Sequence, residues 1–595
     1  MKEISKSKLI TVNKKNNLLT AVKKIIKMPE LYIFCILIVV RIIIGEKIGI
    51  WFASSQGADD NLLANYSILS KHFYNPDVYS LMKMMSYPIF INLVYFSGIK
   101  YTIWLSLLYV IDASLVYSLI KKITKSRIMS IISFVYVLFL PIAFESWLGT
   151  RMYRNSIIGP FVLLFLCLLI YSILFYIKEE KFHRIYLNAT ITGVIFTFTY
   201  YIKEDGLWLL ACLLFTMFVQ LIIVIIKNFN KKCNYKKIII LISGILIPIM
   251  IFLINTNLYK AINKHYFGVY EIETKSSGEL GKFVANVYKV KSDNRSKIVW
   301  APKDAIEKVF EVSETLKKYP KLEENIFHTY WCDGNIEKRP IHGDFLTWIL
   351  RSSLEDTGIW KSEQQVNDLF GQVNNELDEA FANGTLEKDN RIQLLSSAGG
   401  RTFNEILDLK RIIIQSYKGS VLLEGYSEGC IGTADNVDME TTESYEKKTR
   451  EKFNTIDNAM QEENNKMINI IFSIYKYINP ILFVVMIVVI FLTLIKLLCF
   501  NLIKRSFSKD EVFEFLIVFI LFGISILYTF AISWFSEFIF VDEIDKKILD
   551  FYLPALPVWL AIPYILSLDL LIKDIKNLII KIKSYKSQKL IKHIL

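Results

Sequence analysis

The chain has 595 residues, 53% of them hydrophobic, a mean hydropathy of +0.36 and apolar residues gathered in long blocks, which excludes a plain string of soluble domains. Its formal charge of +13 is unevenly spread: residues 257–465 carry 27 Lys/Arg against 35 Asp/Glu, a net of −8, which leaves +21 on the remainder. That split argues against nucleic acid as a partner and for a membrane protein with basic loops on one side of a lipid bilayer.

Taken in chain order, residues 1–30 form a Lys-rich N-terminus, followed by apolar blocks that predict ten spans. They lie near residues 31–53, 101–120, 128–146, 157–177, 186–202, 206–226, 237–256, 480–499, 512–534 and 552–572. Blocks of this length must satisfy their own backbone groups in lipid, so the fold class is an all-α polytopic membrane protein. The run 87–99 is apolar but short, and is placed in the interface or as an extension of the second span. The first block is too long for a signal peptide and is expected to stay as an anchor.

Basic residues crowd the N-terminus, the loops 121–127, 178–184, 227–237 and 504–509, and the tail 573–595. The positive-inside rule makes all of these cytoplasmic, so both termini are predicted inside. The expected organisation is an N-terminal transmembrane module, 31–256, with a first exoplasmic loop at 54–100. An exoplasmic domain, 257–465, precedes the C-terminal transmembrane helices, 466–572.

A segment as long as 257–465 predicts a folded domain rather than a loop. Val366, Leu369, Phe370, Val373, Leu377 and Phe381 share a helical face, with Ser362 and Gln365 as a start signal and Gly384 as a stop. Residues 303–318, 343–354 and 402–417 also read as helices. A charged helix over 442–466 leads toward Pro480, which is expected to begin or kink the eighth span. Cys332 and Cys430 in this domain fit either one disulfide or two unpaired thiols. His328, Cys332, Asp333, His342 and Asp344 match no standard zinc spacing.

Polar clusters converge on the outer side. Asp59 and Asp60 follow the first span, Lys83 and Tyr87 sit in "LMKMMSYP", Arg151 and Arg154 in "LGTRMYRN", and Lys203, Glu204 and Asp205 in "YIKEDGLW". Charges at membrane depth are costly and tend to mark function. The structural alternatives are that the acids cap the helix of "NLLANYSIL" and that the arginines anchor to lipid phosphates. Arg41, inside the first span, receives no role.

"GADDNLLANYSIL", the K-x-x-x-Y-P motif ending at Tyr87-Pro88, the arginine loop before the fourth span, "KEDGLW" at 203–208, "KVFEVSETL" at 308–316 and "DFYLPALPV" at 550–558 together resemble bacterial polytopic GT-C-class glycosyltransferases. These are related at superfamily level to the aminoarabinose and protein-mannosyl transferases. The resemblance implies a GT-C-type bundle of about ten helices in the cytoplasmic membrane, with a mostly helical exoplasmic domain before the last three spans. It implies an enzyme that takes a sugar from a polyprenyl-phosphate carrier to a cell-envelope glycan, lipid or protein. Lys203 departs from the family pattern, in which Arg is common.

The chemistry has its own logic. No nucleotide sugar or ATP is available outside the membrane, so an activated donor arrives on a lipid phosphate. Its cleavage calls for cations at the leaving group and a base for the incoming hydroxyl. Lys83, Arg151, Arg154 and Lys203 suit the phosphate, with Tyr87, Glu204 and Asp205 near the substrate. Neighbouring helix residues do not share a face, so Asp59 and Asp60 divide their work. The resemblance assigns the base to Asp59; Asp60 then caps, orients the acceptor, or holds a divalent metal if one is used. One base opposite the leaving group implies inversion. A transporter or flippase of lipid-linked saccharides, or a non-catalytic envelope scaffold, is the alternative reading.

Overall fold

The computed structural model describes residues 29–53, 58–228, 235–328, 340–426, 439–453, 458–498, 508–540 and 543–594. Cys332, Asp333, Cys430 and residues 1–28 of the basic N-terminus lie outside the described residues.

Eight described helical segments are long and apolar enough to cross a membrane: Tyr101–Thr124, Arg127–Phe144, Asn155–Lys178, Leu207–Asn228, Tyr235–Phe267, Glu462–Leu497, Lys509–Ile539 and Leu556–Ser584. The chain is thus a multi-pass helical membrane protein. The other two predicted spans are also helices, Pro29–Ile48 and Phe182–Tyr200, but the first carries too many charges and the second is less apolar. Glu30, Arg41, Glu46 and Lys47 interrupt the first, and His183, Arg184, Asn188 and four threonines dilute the second.

Asn155–Lys178 is the central helix, 83% buried over its apolar window, whereas Tyr235–Phe267 is peripheral at 22%. Its close crossing with the last span depends on Gly159, where an added Cβ would lie 2.7 Å from Val558 Cγ2 and 3.2 Å from the Pro554 carbonyl oxygen. Pro480 neither begins nor ends a helix: Asn458–Leu498 runs through it for 41 residues.

The extramembrane part is mostly helical, with one two-stranded antiparallel ribbon pairing Val299–Ala301 and Ile341–His342. The expected helix is Glu363–Asn383; Ser362 Oγ accepts from Gln365 N at 3.2 Å, and Gly384 closes it with φ 82°. The predicted helix 303–318 is split into Lys303–Val312 and a short turn Leu316–Lys318, and 343–354 is realised as Phe345–Asp356. The predicted 402–417 is two helices, Phe403–Asp408 and Lys410–Leu422. Residues 87–99 correspond to helix Ser86–Ser97.

The domain is fastened to the spans by aromatic packing and by buried ions. Trp300, 1% exposed, meets Phe535 and Phe538 at 5.7 and 5.2 Å. Arg351 bonds Glu363 Oε1 at 2.8 Å and also the Val78 carbonyl of the loop before Lys83. Thr274 N bonds the Leu81 carbonyl at 2.8 Å. Domain and membrane loops therefore share one hydrophobic core, and the loops that bear the predicted charges are held from both sides.

Candidate functional site

Asp59 and Asp60 occupy the first turn of helix Ala58–Ser67, where carboxylates gain from the helix dipole. Successive helical positions differ by about 100°, and the two acids do take different partners. Asp59 pairs with Lys83 Nζ at 2.8 Å and accepts from the Tyr153 hydroxyl at 2.9 Å. Asp60 has no exposed surface and is gripped by Arg151, with Nε to Oδ2 at 2.8 Å and Nη2 to Oδ1 at 2.7 Å. Such a two-pronged bond combines charge with planar fit.

The local fold explains where Arg151 points. Glu145, 2% exposed, accepts from the backbone N–H groups of Trp147 and Leu148 at 2.7 and 2.9 Å, which curls residues 145–150 into a tight loop. Trp51 N bonds the Thr150 carbonyl, and Met152 N bonds the Trp51 carbonyl, fixing Arg151 to the segment before the acids. The guanidinium is boxed by the rings of Trp147, Trp51, Phe551 and Tyr153, with centroids 4.9 to 5.5 Å away. The loop closes only over glycine, because a Cβ at Gly149 would meet Ala143 C and O at 2.4 Å. Gly149→Ala is expected to cost about 1–3 kcal/mol through overpacking and to loosen Arg151, seen as a lower unfolding temperature.

Arg154 extends the network. Its Nε donates to the Tyr153 hydroxyl at 2.8 Å, and its Nη1 reaches Glu204 Oε1 and Oε2 at 2.8 and 2.7 Å. Lys83, Asp59, Tyr153, Arg154 and Glu204 thus form one continuous relay built from three separate loops. Lys275 and Asp344, paired at 2.6 Å, approach it from the extramembrane domain. The ring of Trp348 lies under both Lys83 and Lys275, at 5.2 and 5.9 Å.

Burial and charge act in opposite senses across this cluster. Burial works to raise Asp59, but Lys83, Arg154 and Lys275 outweigh it and hold the carboxyl down to about 2. Glu204 is likewise held well below the usual range, against burial, by Arg154, Lys83 and Lys275. Burial pushes Asp60 up to about 6 against the pull of Arg151. Lys203 is lowered by burial to about 8, with Asp205 opposing. It is 9% exposed and makes no hydrogen bond or ion pair with the described residues. Asp59, by contrast, keeps 31% of its side chain exposed.

The structure brings together Asp59, Asp60, Lys83, Arg151, Arg154, Lys203, Glu204 and Asp205. Tyr87 lies elsewhere: fully buried, its hydroxyl meets those of Tyr101 and Tyr445 at 3.1 and 3.3 Å. Asp60, named for a metal if one is used, has both oxygens engaged by Arg151, and no group of three metal-ligating side chains occurs among the described residues. Asp344, weighed for zinc, pairs instead with Lys275. Neither acid is merely a cap, since each bonds a distant loop. Arg41 is 2% exposed and does not reach toward lipid; Nη1 bonds Ser106 Oγ at 3.3 Å and the guanidinium lies 4.4 Å from the Phe144 ring.

Sequence reasoning missed Tyr153, Lys275 and Trp348, and weighed Asp344 only for zinc. Tyr153 had a signal, lying between Arg151 and Arg154. Lys275 and Trp348 come from the 257–465 segment, where nothing in the pattern separates them from ordinary surface residues. No family model, curated protein or solved structure matches the chain.

Proposed function

We propose that the chain is a membrane-embedded glycosyltransferase that moves a sugar from a polyprenyl-phosphate donor to a cell-envelope acceptor. In this reading it spans the cytoplasmic membrane ten times with both termini inside, and residues 257–465 and the acid cluster face outward. The observation that carries the reading is the buried relay around a partly open carboxylate, Asp59, with a cation in the same cluster, Lys203, that makes no hydrogen bond or ion pair among the described residues and is favoured only at longer range by Asp205 and Glu204. A buried cation with no direct ion pair is costly, and an anionic ligand would offset that cost.

The proposed reaction is an inverting displacement. An acceptor hydroxyl oxygen attacks the anomeric carbon while the bond from that carbon to the phosphate oxygen breaks, the electron pair leaving on the lipid phosphate. The hydroxyl proton passes to Asp59. Lys83, Arg151, Arg154 and Lys203 supply positive charge for the leaving group, aided by the low-dielectric setting. When phosphate draws Lys83 away, Asp59 loses the neighbour that most lowers its pKa and becomes a better base. Glu204 and Asp205 remain to orient substrate hydroxyls.

The test is donor binding and transfer by the purified protein in vesicles. Lys203 supplies a signed pH dependence. The phosphate selects the ammonium form, whose pKa in the empty site is about 8. Affinity should therefore be steady below about pH 8 and fall as pH rises beyond it, toward tenfold per unit from this one proton. Lys203→Arg should flatten that fall, because guanidinium keeps its charge. A binding curve equally steep in both proteins would remove Lys203 from the phosphate site. Wild-type protein that binds no polyprenyl-phosphate sugar would remove the enzymatic reading.

A further inference from the structure

Helix Lys410–Leu422 belongs by sequence to the acidic extramembrane segment, yet it reaches into the layer of the spans. The Tyr417 hydroxyl meets Ser525 Oγ at 2.7 Å, and its ring packs on Phe483 and Phe522 at 5.7 and 6.4 Å. Ser525 is three residues, about 4.5 Å of helical rise, farther from the domain than Tyr528. Tyr528 packs on Trp208 and Trp559 at 4.9 and 5.2 Å, so large aromatics of three candidate spans gather at one level. Tyr528 and Trp559 are buried, so this cluster lies inside the bundle, and helix Lys410–Leu422 reaches down among the spans close to its level.

The start of the helix is tied to the domain end of the same span. Arg411 Nη2 bonds Glu537 Oε1 at 2.9 Å; Arg401 bonds Glu537 too, and donates to the Trp534 carbonyl at 2.7 Å. The inner face is pressed in tightly, since a Cβ at Gly419 would lie 2.2 Å from Asp550 Oδ1. The outer face presents Leu407, Arg411, Ile414, Lys418 and Leu422. Its apolar members are 54, 57 and 38% exposed, and no carboxylate interrupts it. The two candidate spans it packs against carry Ile481, Val484 and Leu527, 64, 58 and 69% exposed.

We propose that the open face of helix Lys410–Leu422 meets the bilayer. Leu407, in the helix just before it, Ile414 and Leu422 turn toward acyl chains, and Lys418 reaches lipid phosphates, while Arg411 stays on Glu537. Alternation of apolar and basic residues on one open face is what such a position demands, because long basic side chains keep their charge in the polar layer while their stems cover hydrocarbon. The helix packs between two candidate spans, on Phe483 and on Phe522 and Ser525, so its open apolar side chains stand at the level of lipid, which favours lipid over a protein partner. The proposal depends on the membrane alone and not on the enzymatic reading.

The test uses the full chain in phosphatidylcholine and phosphatidylglycerol vesicles containing a phospholipid with a diazirine on its acyl chain. After irradiation and digestion, peptides covering 403–422 should carry label at a level comparable to the span Lys509–Ser536, with 363–383 at background. Label on the span but not on 403–422 overturns the proposal, as would cross-linking of this face to a second copy with loss of lipid label. Lys418→Glu, on the open side of the helix, should reduce labelling of 403–422 and leave Lys509–Ser536 unchanged; undiminished labelling would overturn the contact with lipid phosphate.

Discussion

Asp59→Asn should lower sugar transfer by about two to four orders of magnitude, the contribution of a positioned general base. The amide retains an oxygen for the Tyr153 hydroxyl but takes no proton from an acceptor. It also deprives Lys83, only 2% exposed, of its counter-ion at 2.8 Å, so some loss of stability should accompany the loss of turnover. The two effects separate in a second variant. Asp59→Asn combined with Lys83→Met should recover much of the unfolding temperature without recovering transfer. Near wild-type turnover in the single variant, measured with a polyprenyl-phosphate donor, would make Asp59 a structural partner of Lys83 and nothing more.

The largest expected loss of stability follows from breaking the Asp60–Arg151 pair. Arg151→Met leaves a carboxylate with no exposed surface and no cation, which should cost about 3–5 kcal/mol. Arg151→Lys should restore only part, because an ammonium neither matches both carboxylate oxygens nor lies flat among four rings. Replacing both partners, as in Asp60→Leu with Arg151→Met, should cost less than Arg151→Met alone. The deficit of Arg151→Met should shrink as pH falls, since Asp60 already sits near 6 with its partner present and rises further without it. A neutral carboxyl needs no counter-ion. Thermal unfolding in bilayer discs across pH checks the sign; a deficit that grows on acidification would mean the pair is not what holds the loop.

Much of the helical fold was legible because long apolar runs admit one backbone solution in lipid. Arg41, Glu46 and Lys47 show where this logic weakens, since charge within the first predicted span makes it a less decisive membrane segment than its neighbours. The acids and arginines of the site were legible as charges stranded beside apolar blocks. Their pairing was not. Nothing in the sequence says that Arg151 rather than Arg154 meets Asp60, because that choice is made by Gly149 and by Glu145 curling the loop. Lys275 and Trp348 were invisible for a different reason: they are brought in by tertiary contacts across about 200 residues of chain, and sequence periodicity reports only local faces. Tyr87 shows the converse, a residue prominent by motif whose hydroxyl is spent on two other tyrosines.

The helix Asn458–Leu498 has a mechanical meaning. At about 1.5 Å per residue it is roughly 60 Å long, about twice the hydrocarbon thickness of a bilayer, so it carries on from the spans into the part of the chain that holds the acid cluster. Asn464, near its start, donates to the Lys47 carbonyl at 2.8 Å, a few residues before Trp51 and the Arg151 loop. Ile468 and Phe472 are buried in the shared core, and the Tyr475 hydroxyl donates to the Tyr136 carbonyl at 2.6 Å. One unbroken helix is thereby a strut that braces the stretch of chain leading to the acid cluster against the bundle below.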